Sequence, residues 1–375
     1  MLLSGQIENT RRGKCAYTED SDGISQSKHS PTHALRCVTC SCPGSGRNAV
    51  KIDRYIEIVT TPIGAFNLMP QIVLESIKDV LSRHYLKVKI SVIHNQIELN
   101  DIAVKNPDLV ISGIKYLGFC EDSIKRNASN KIWFADFLDD NHIKYMGSSG
   151  RALEFEYDKS KAKKQVSDCG LRTAASFIAS PQQFKSSEIF IDYPLFIKPL
   201  FEGDSRGIDA QSLVHNFKMY EAKVQSIHDN QQTQSLIEKY LSGKEYTVGI
   251  IQDFEHDTFQ INPVEIVVEK INGNFAVLGF DEKLADKELV LEIQNDTVKG
   301  LVSELALAAF NALGASGYGR IDIKMDEDGV PFFLEANLIP GLGQGYFYRC
   351  YKLNGGSSYE QMLLDIVGQA LHVRH

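Results

Sequence analysis

The stretch Gly317–Gly341, GYGRIDIKMDEDGVPFFLEANLIPG, holds two runs of strand-forming residues on either side of Asp328–Gly329. Asp-Gly between two such runs is a hairpin signal, so the stretch predicts strand, turn, strand. Asp322 falls on the first strand and Glu335 and Asn337 on the second. Residues two apart on a strand share a face, and pairing across the hairpin can bring Asp322 to that same face. Ile321, Ile323, Phe333 and Leu334 read as the core side. Two carboxylates and an amide oxygen form a hard oxygen cluster, suited to Mg2+ shared with phosphate groups. A solvent-facing acidic edge is the other reading of the same spacing.

Two stretches upstream have their own chemistry. In YPLFIKPLFEGDSRG (Tyr193–Gly207) a strand ends at Lys198 and a loop with Gly203 and Gly207 follows. Glycines let backbone N–H groups approach phosphate oxygens, and Lys198 and Arg206 add positive charge. The spacing is not a P-loop, and on spacing alone an ordinary surface turn is the favoured reading. In SLIEKYLSGKEYTVGII (Ser235–Ile251) two strands join near Ser242–Gly243, with Glu238 and Glu245 on either side. Carboxylates can accept hydrogen bonds from ribose hydroxyls or an adenine amine. Solvated charge on an exposed hairpin is the alternative.

Between residues 51 and 157, strand patterns alternate with helical ones. Arg54–Val59, Val88–Ile93 and Asp108–Ile114 read as strands, and Pro70–Tyr85 as a helix with Pro at its first position. Ile132–Asn141 reads as helical, and IKYMGSSG as a strand and turn. Such alternation implies a parallel sheet with helices on its faces. Asp158–Gly170 reads as a helix capped by Asp158 and stopped by Gly170. Helices are also expected near Leu213–Ile227, over Asp296–Gly314 and at the C-terminal end.

The chain has 375 residues, long enough for two or three domains. Lys+Arg number 40 against 48 Asp+Glu, a net charge of −8 that argues against a general nucleic-acid binder. No apolar run is long enough for a membrane helix, and the N-terminus has no secretory pattern. Cysteines 15, 37, 40, 42, 120, 169 and 350 are odd in number and thinly spread, which favours reduced thiols. A cytoplasmic protein is the expectation. Residues 1–50 lack apolar periodicity and read as a disordered leader. Within it His29, His33, Cys37 and Cys40 carry zinc-compatible side chains at a spacing unlike the common fingers.

Taken together, YPLFIKPLFEGDSRGI, SLIEKYLSGKEYTVGI and GYGRIDIKMDEDGVPFFLEANLIPGL resemble the ATP-grasp superfamily, most closely its D-alanine–D-alanine ligase branch. The likeness runs from about Ile143 to Leu371, with a fainter match over residues 51–142. It implies an α/β (α+β) fold with an N-terminal parallel-sheet domain at 51–157, a central nucleotide-clamping subdomain at 158–244 and a catalytic subdomain at 245–375. It implies an ATP-dependent carboxylate–amine ligase of the EC 6.3.2 type, using Mg2+ or Mn2+ and passing through an acyl phosphate. The partners implied are small amino-acid-like substrates, with no nucleic acid and no membrane, and a homodimer is compatible with it. The alternative is an ATP-binding regulator that has lost catalysis.

By the same resemblance, Lys159 and Lys198 are nucleotide-binding lysines. Glu202, Gly203, Ser205 and Gly207 belong to a loop over the phosphates. Glu238, Lys239 and Leu241 line adenine, and Glu245 meets ribose. Lys283 is matched to a γ-phosphate contact, Arg320 to the group that stabilises the transferring phosphate, and Gly341 to a backbone N–H that meets substrate. Asp322, Glu335 and Asn337 match the metal ligands. The first-substrate block has no clear counterpart, its place taken by TTPIGAFNLMP. Asp204 replaces a loop Ser, and Tyr346 stands near the Ser that in the family binds the second substrate's carboxylate, with Arg349 an alternative carboxylate partner. These departures put the dipeptide product in question.

Overall fold

The computed structural model describes residues 50–62, 68–117, 132–201, 207–268 and 288–372. The chain divides into two units, Met1–Asn48 and Ala49–His375, and every described residue lies in the second.

The first sheet is parallel, with β1 (Ile52–Thr60) between β2 (Tyr85–Val92) and β3 (Leu109–Ser112). Parallel neighbours need crossovers, and α1 (Gln71–His84) and α2 (Gln96–Lys105) supply them. Leu74, Ile77, Val80 and Leu81 form the buried stripe of α1. Pro70 sits at the N-cap of α1, one position before the expected first turn, because its extended backbone (ψ 153°) precedes the helix. Asn95 caps α2 by accepting hydrogen bonds from the backbone N–H groups of Ile97 and Glu98. Two expectations change here. Ile132–Trp133 is extended, pairing as β5 with β4 (Tyr116–Leu117), and the helix α3 starts only at Phe134 and runs to Asp140. IKYM forms no strand, and Tyr145 makes a single parallel bridge to Val110.

α4 (Gly150–Tyr157) and α5 (Lys159–Asp168) follow. Asp158 caps α5 by accepting from the Ser160 and Lys161 N–H groups, and Gly170 takes φ +77° just beyond its end. The second sheet is antiparallel, in the order β6 (Ser176–Ala179), β9 (Ser235–Lys239), β7 (Leu195–Pro199), β8 (Leu213–Val214). Its helix α6 spans Phe217–Gln231. The expected start near Leu213 was too early because Leu213 and Val214 pair with β7, and the Asn216 side chain then caps the helix.

The third sheet has the order β12 (Glu288–Glu292), β11 (Thr258–Val268), β10 (Glu245–Asp253), β13 (Tyr318–Met325), β14 (Pro331–Asn337), all antiparallel. On one face Phe310 of α7 (Asp296–Ala312) packs where a Cβ on Gly319 would sit. On the other, Phe347 and Cys350 of α8 (Tyr346–Leu353) cover Gly249. The C-terminal helix α9 (Tyr359–His372) reaches α1, where Glu360 meets Arg83 at 2.9 Å. The two strands of SLIEKYLSGKEYTVGII therefore do not form a hairpin. β9 belongs to the second sheet and β10 to the third, and Tyr240–Lys244 carries the chain from one to the other. No helix among the described residues is long and apolar enough to cross a membrane.

Candidate active site between two sheets

The second and third sheets meet through buried charge. Glu238 of β9 lies opposite Phe196 of β7, diagonal to Lys198 two residues on, and the Glu238 and Lys198 side chains approach to 2.9 Å. Lys163, on α5, reaches the other oxygen of Glu238 at 2.6 Å and donates to Thr173 Oγ1 at 2.6 Å. Lys198 also lies 3.8 Å from Glu335 of β14, so one ammonium spans both sheets. All three inner groups are almost fully buried: Lys163 3%, Lys198 2% and Glu238 2% exposed. Burial alone would raise the Glu238 carboxyl, but the two lysines outweigh it and hold it down at about 2. Burial opposes the charge on Lys198 as well, and Glu238 and Glu335 together push it up. Burial pushes Lys163 down, with Glu238 only partly countering it. The Oε1 atom of Glu238 touches Lys163 without a well-aligned donor, which leaves a buried acceptor on a carboxylate that stays ionised.

The hairpin supplies the second half of the site. Asp322 lies directly opposite Glu335, and Arg320 opposite Asn337. The pairing shifts after Asp322, so that Ile323 opposes Phe333 and Leu334 is an extra residue. This bulge turns Glu335 to the face of Asp322 while Phe333 stays fully buried in the core. Leu334 is consequently only half-buried, not the core residue expected.

Arg320 grips Asp322 through two 3.0 Å hydrogen bonds, from Nε to Oδ1 and from a terminal nitrogen to Oδ2. Thr247 of β10 donates to Oδ1 at 2.5 Å and Asn337 Nδ2 to Oδ2 at 3.1 Å. Burial opposes the charge on Arg320, but Asp322 outweighs it and keeps the guanidinium firmly protonated. The donor chemistry fits an oxygen-preferring divalent ion. Asp322 and Glu335 stand opposite each other on one side of the hairpin, and Asn337 donates from its amide nitrogen to Asp322, so the Asn337 carbonyl oxygen is the atom that would serve a metal. No group of three or more His, Cys, Asp or Glu side chains set to hold a metal occurs among the described residues, so the set rests on two carboxylates and an amide.

The other expected residues divide. Glu245 lies on the same sheet face and pairs with half-buried Lys324 at 3.0 Å. Lys159 is buried at the start of α5, beside the bridge between Asp158 and Phe201 that leads into residues 202–206. Lys239 points away from Glu238, and its ammonium reaches the Asp192 carbonyl at 3.1 Å. Leu241 is buried in the link between the sheets. Gly207 has φ +75°, and Gly341 is exposed in the loop after β14. Glu202, Gly203, Ser205 and Lys283 lie outside the described residues, as do residues 63–67 of TTPIGAFNLMP and the His29, His33, Cys37, Cys40 group. The sequence reading missed Lys163 and Thr247. Lys163 stands four residues after Lys159, the spacing that puts two side chains on one helix face, and that was the available signal.

With this geometry in place, comparison with known proteins is decisive. The family model described as D-ala D-ala ligase C-terminus matches residues 166–368, more than half of the chain. The chain belongs to the D-alanine–D-alanine ligase family. Two curated relatives named D-alanine–D-alanine ligase are 28% identical: one from Bordetella petrii over 61% of this chain and 68% of its own, one from Psychrobacter sp. over 60% and 65%. The chain thus spans about two thirds of each. Among solved structures, the D-alanine–D-alanine ligase of Bacillus anthracis complexed with ATP aligns with a TM-score of 0.62 at 19% identity, covering 85% of this chain and 97% of that one. The VanG D-Ala:D-Ser ligase of Enterococcus faecalis aligns at 0.61 and 17%, covering 85% and 100%. The family fold is ATP-grasp, and the three sheets here have that architecture. Members of the D-alanine–D-alanine ligase family are ATP-dependent carboxylate–amine ligases.

Proposed function

We propose that this chain is an ATP- and Mg2+-dependent ligase that joins an amino-acid-like carboxylate to an amine through an acyl phosphate. The observation that carries the reading is Lys198, whose buried ammonium is held by Glu238 from one sheet and Glu335 from the other. A cation at that junction can meet a nucleotide's phosphates where the adenine-side and metal-side carboxylates converge. In this reading residues 158–244 clamp the nucleotide, residues 245–375 carry the chemistry, and residues 51–157 contribute to the substrate side. Glu238, kept ionised by Lys163, accepts a hydrogen bond from the adenine amine, and Glu245 one from ribose. Lys159 and the loop through Glu202, Gly203, Ser205 and Gly207 lie over the phosphates, with Lys283 at the γ-phosphate. Asp322, Glu335 and Asn337 hold Mg2+, which neutralises phosphate charge when bound.

A carboxylate is a poor acyl donor, so its oxygen first attacks the γ-phosphorus and ADP leaves. The amine then attacks the acyl carbon, phosphate departs, and the amine loses a proton to complete the amide. Arg320, locked in orientation by Asp322, sits where negative charge develops on the transferring group and on the tetrahedral intermediate. Gly341 adds a backbone N–H. The assay is ATP-dependent phosphate release with Mg2+ across D- and L-amino acids, with products identified by mass spectrometry. A condensed amide with stoichiometric phosphate is expected, and Glu335→Ala should lower turnover at least about a hundredfold while ATP still binds. Bound ATP with no condensation on any pair, or an active Glu335→Ala, would sink the reading in favour of a nucleotide-binding regulator.

A further inference from the structure

One buried carboxylate on the active-site face has no role in the scheme above. Strand pairing sets Thr247 beside Val264 and Glu245 beside Ile266, and those two beside Glu292 and Val290. Glu288, two residues before Val290, therefore projects from the same face as Glu245, Thr247, Arg320 and Asp322. It is 6% exposed. Its Oε1 accepts a 2.6 Å hydrogen bond from the Tyr346 hydroxyl, and its Oε2 is buried with no hydrogen-bond partner among the described residues. The Tyr346 ring in turn covers the Arg320 guanidinium, 5.2 Å from its centroid. One tyrosine thus has its face on the cation of the reaction centre and its hydroxyl on a second, buried carboxylate.

A carboxylate buried with half its acceptor capacity unmet is costly unless a cation or donor joins it. Arg320 does not serve, because Asp322 occupies its guanidinium and the ring of Tyr346 stands between. We propose that Glu288 and Tyr346 form a subsite for the distal positive charge of the amine substrate, so that this ligase selects an acceptor bearing a second, protonated amine, such as a diamine or a basic amino acid. The ring's length separates this subsite from Arg320, so the cation received there is the remote end of the acceptor, not the attacking nitrogen. No bond is made or broken at the subsite. This inference rests on the ligase reading, and the test keeps the two apart.

The experiment compares isosteric pairs as acceptors for the full-length protein: ornithine against norleucine in both enantiomers, and 1,4-diaminobutane against pentylamine. Amide formation gives kcat/KM for each, and calorimetry on the same compounds gives binding without turnover. A charged hydrogen bond in a dry site should favour the cationic member by at least about tenfold. Glu288→Gln should bring that ratio towards one, and Tyr346→Phe, which keeps the ring on Arg320, should reduce it in smaller measure. Equal use of cationic and neutral members, or a ratio unmoved by Glu288→Gln, overturns the subsite and leaves the ligase reading standing. Glu288-dependent binding of the cationic member without any amide product would do the reverse.

Discussion

Lys163 is the residue whose removal separates a structural account of the cluster from a functional one. It is buried, touches Glu238 at 2.6 Å and satisfies Thr173, which itself donates to the Phe333 carbonyl at 3.1 Å. Breaking one partner out of a buried ion pair leaves uncompensated charge, which typically costs about 3–5 kcal/mol. Here Lys198 still faces Glu238, so Lys163→Met should sit at the low end, about 3 kcal/mol in a urea titration. The same variant should bind ATP more weakly, because Glu238 then draws Lys198 more tightly to itself. Wild-type stability with wild-type ATP affinity would show that the Lys163 contact is incidental. Lys159 entered the sequence reading only through the family resemblance, and its burial at the start of α5 comes from the structure. Lys163 needed the fold, since only packing of α5 on the second sheet reveals what its side chain meets.

Among elements, the link from β9 to β10 does the most to place the site. The exposed-hairpin alternative fails, because two adjacent strand patterns around Ser242–Gly243 carry no information on which sheet each strand joins. Gly243 makes the crossing possible: its N–H donates to the Met325 carbonyl at 2.9 Å, and a Cβ there would come within 2.3 Å of the Asp326 carbonyl oxygen. Backbone cannot give way as a flexible side chain can. Gly243→Ala should destabilise the protein by about 1–3 kcal/mol, read from urea unfolding, and should weaken ATP binding by displacing Glu238 and Glu245 relative to each other. A neutral substitution would mean that the link moves freely. The Asp322–Ile323 register shift is the other decisive element. Strict alternation would put Phe333 on the side of Glu335, and the extra Leu334 resolves that conflict.

For the molecule as a whole, the Lys163–Glu238–Lys198–Glu335 cluster ties a helix and two sheets together, so its protonation bears on global stability. Glu238 is held at about 2, below its ordinary value near 4.5. A carboxylate depressed on folding contributes stability that is complete above its unfolded value and is lost as pH falls to the folded one. The wild type should therefore lose this contribution between about pH 4.5 and 2. Glu238→Gln cannot gain it, so the variant should be less stable at neutral pH and the gap to wild type should close across that window. Urea unfolding of both proteins at pH 7, 4 and 3 measures it. A gap as wide at pH 3 as at pH 7 would mean that Glu238 is not held ionised by its lysines.

Much of this site was readable along the chain because strand period and turn chemistry are local. The hairpin from Tyr318 to Asn337, its turn at Asp328–Gly329, and the shared face of Glu335 and Asn337 follow from spacing two and an Asp-Gly pair. The cap at Asp158 follows from helix chemistry, and the three motifs in their order were enough to suggest the family. Distance through space is not local, and four features depended on it. Packing brought Lys198 between Glu238 and Glu335, which are separated by about a hundred residues. It sent β9 and β10 into different sheets, and it turned Glu335 by a bulge that no period announces. It also set Glu288 on the reaction face with Tyr346, because an edge strand's orientation is settled by its neighbours' register and not by its own residues.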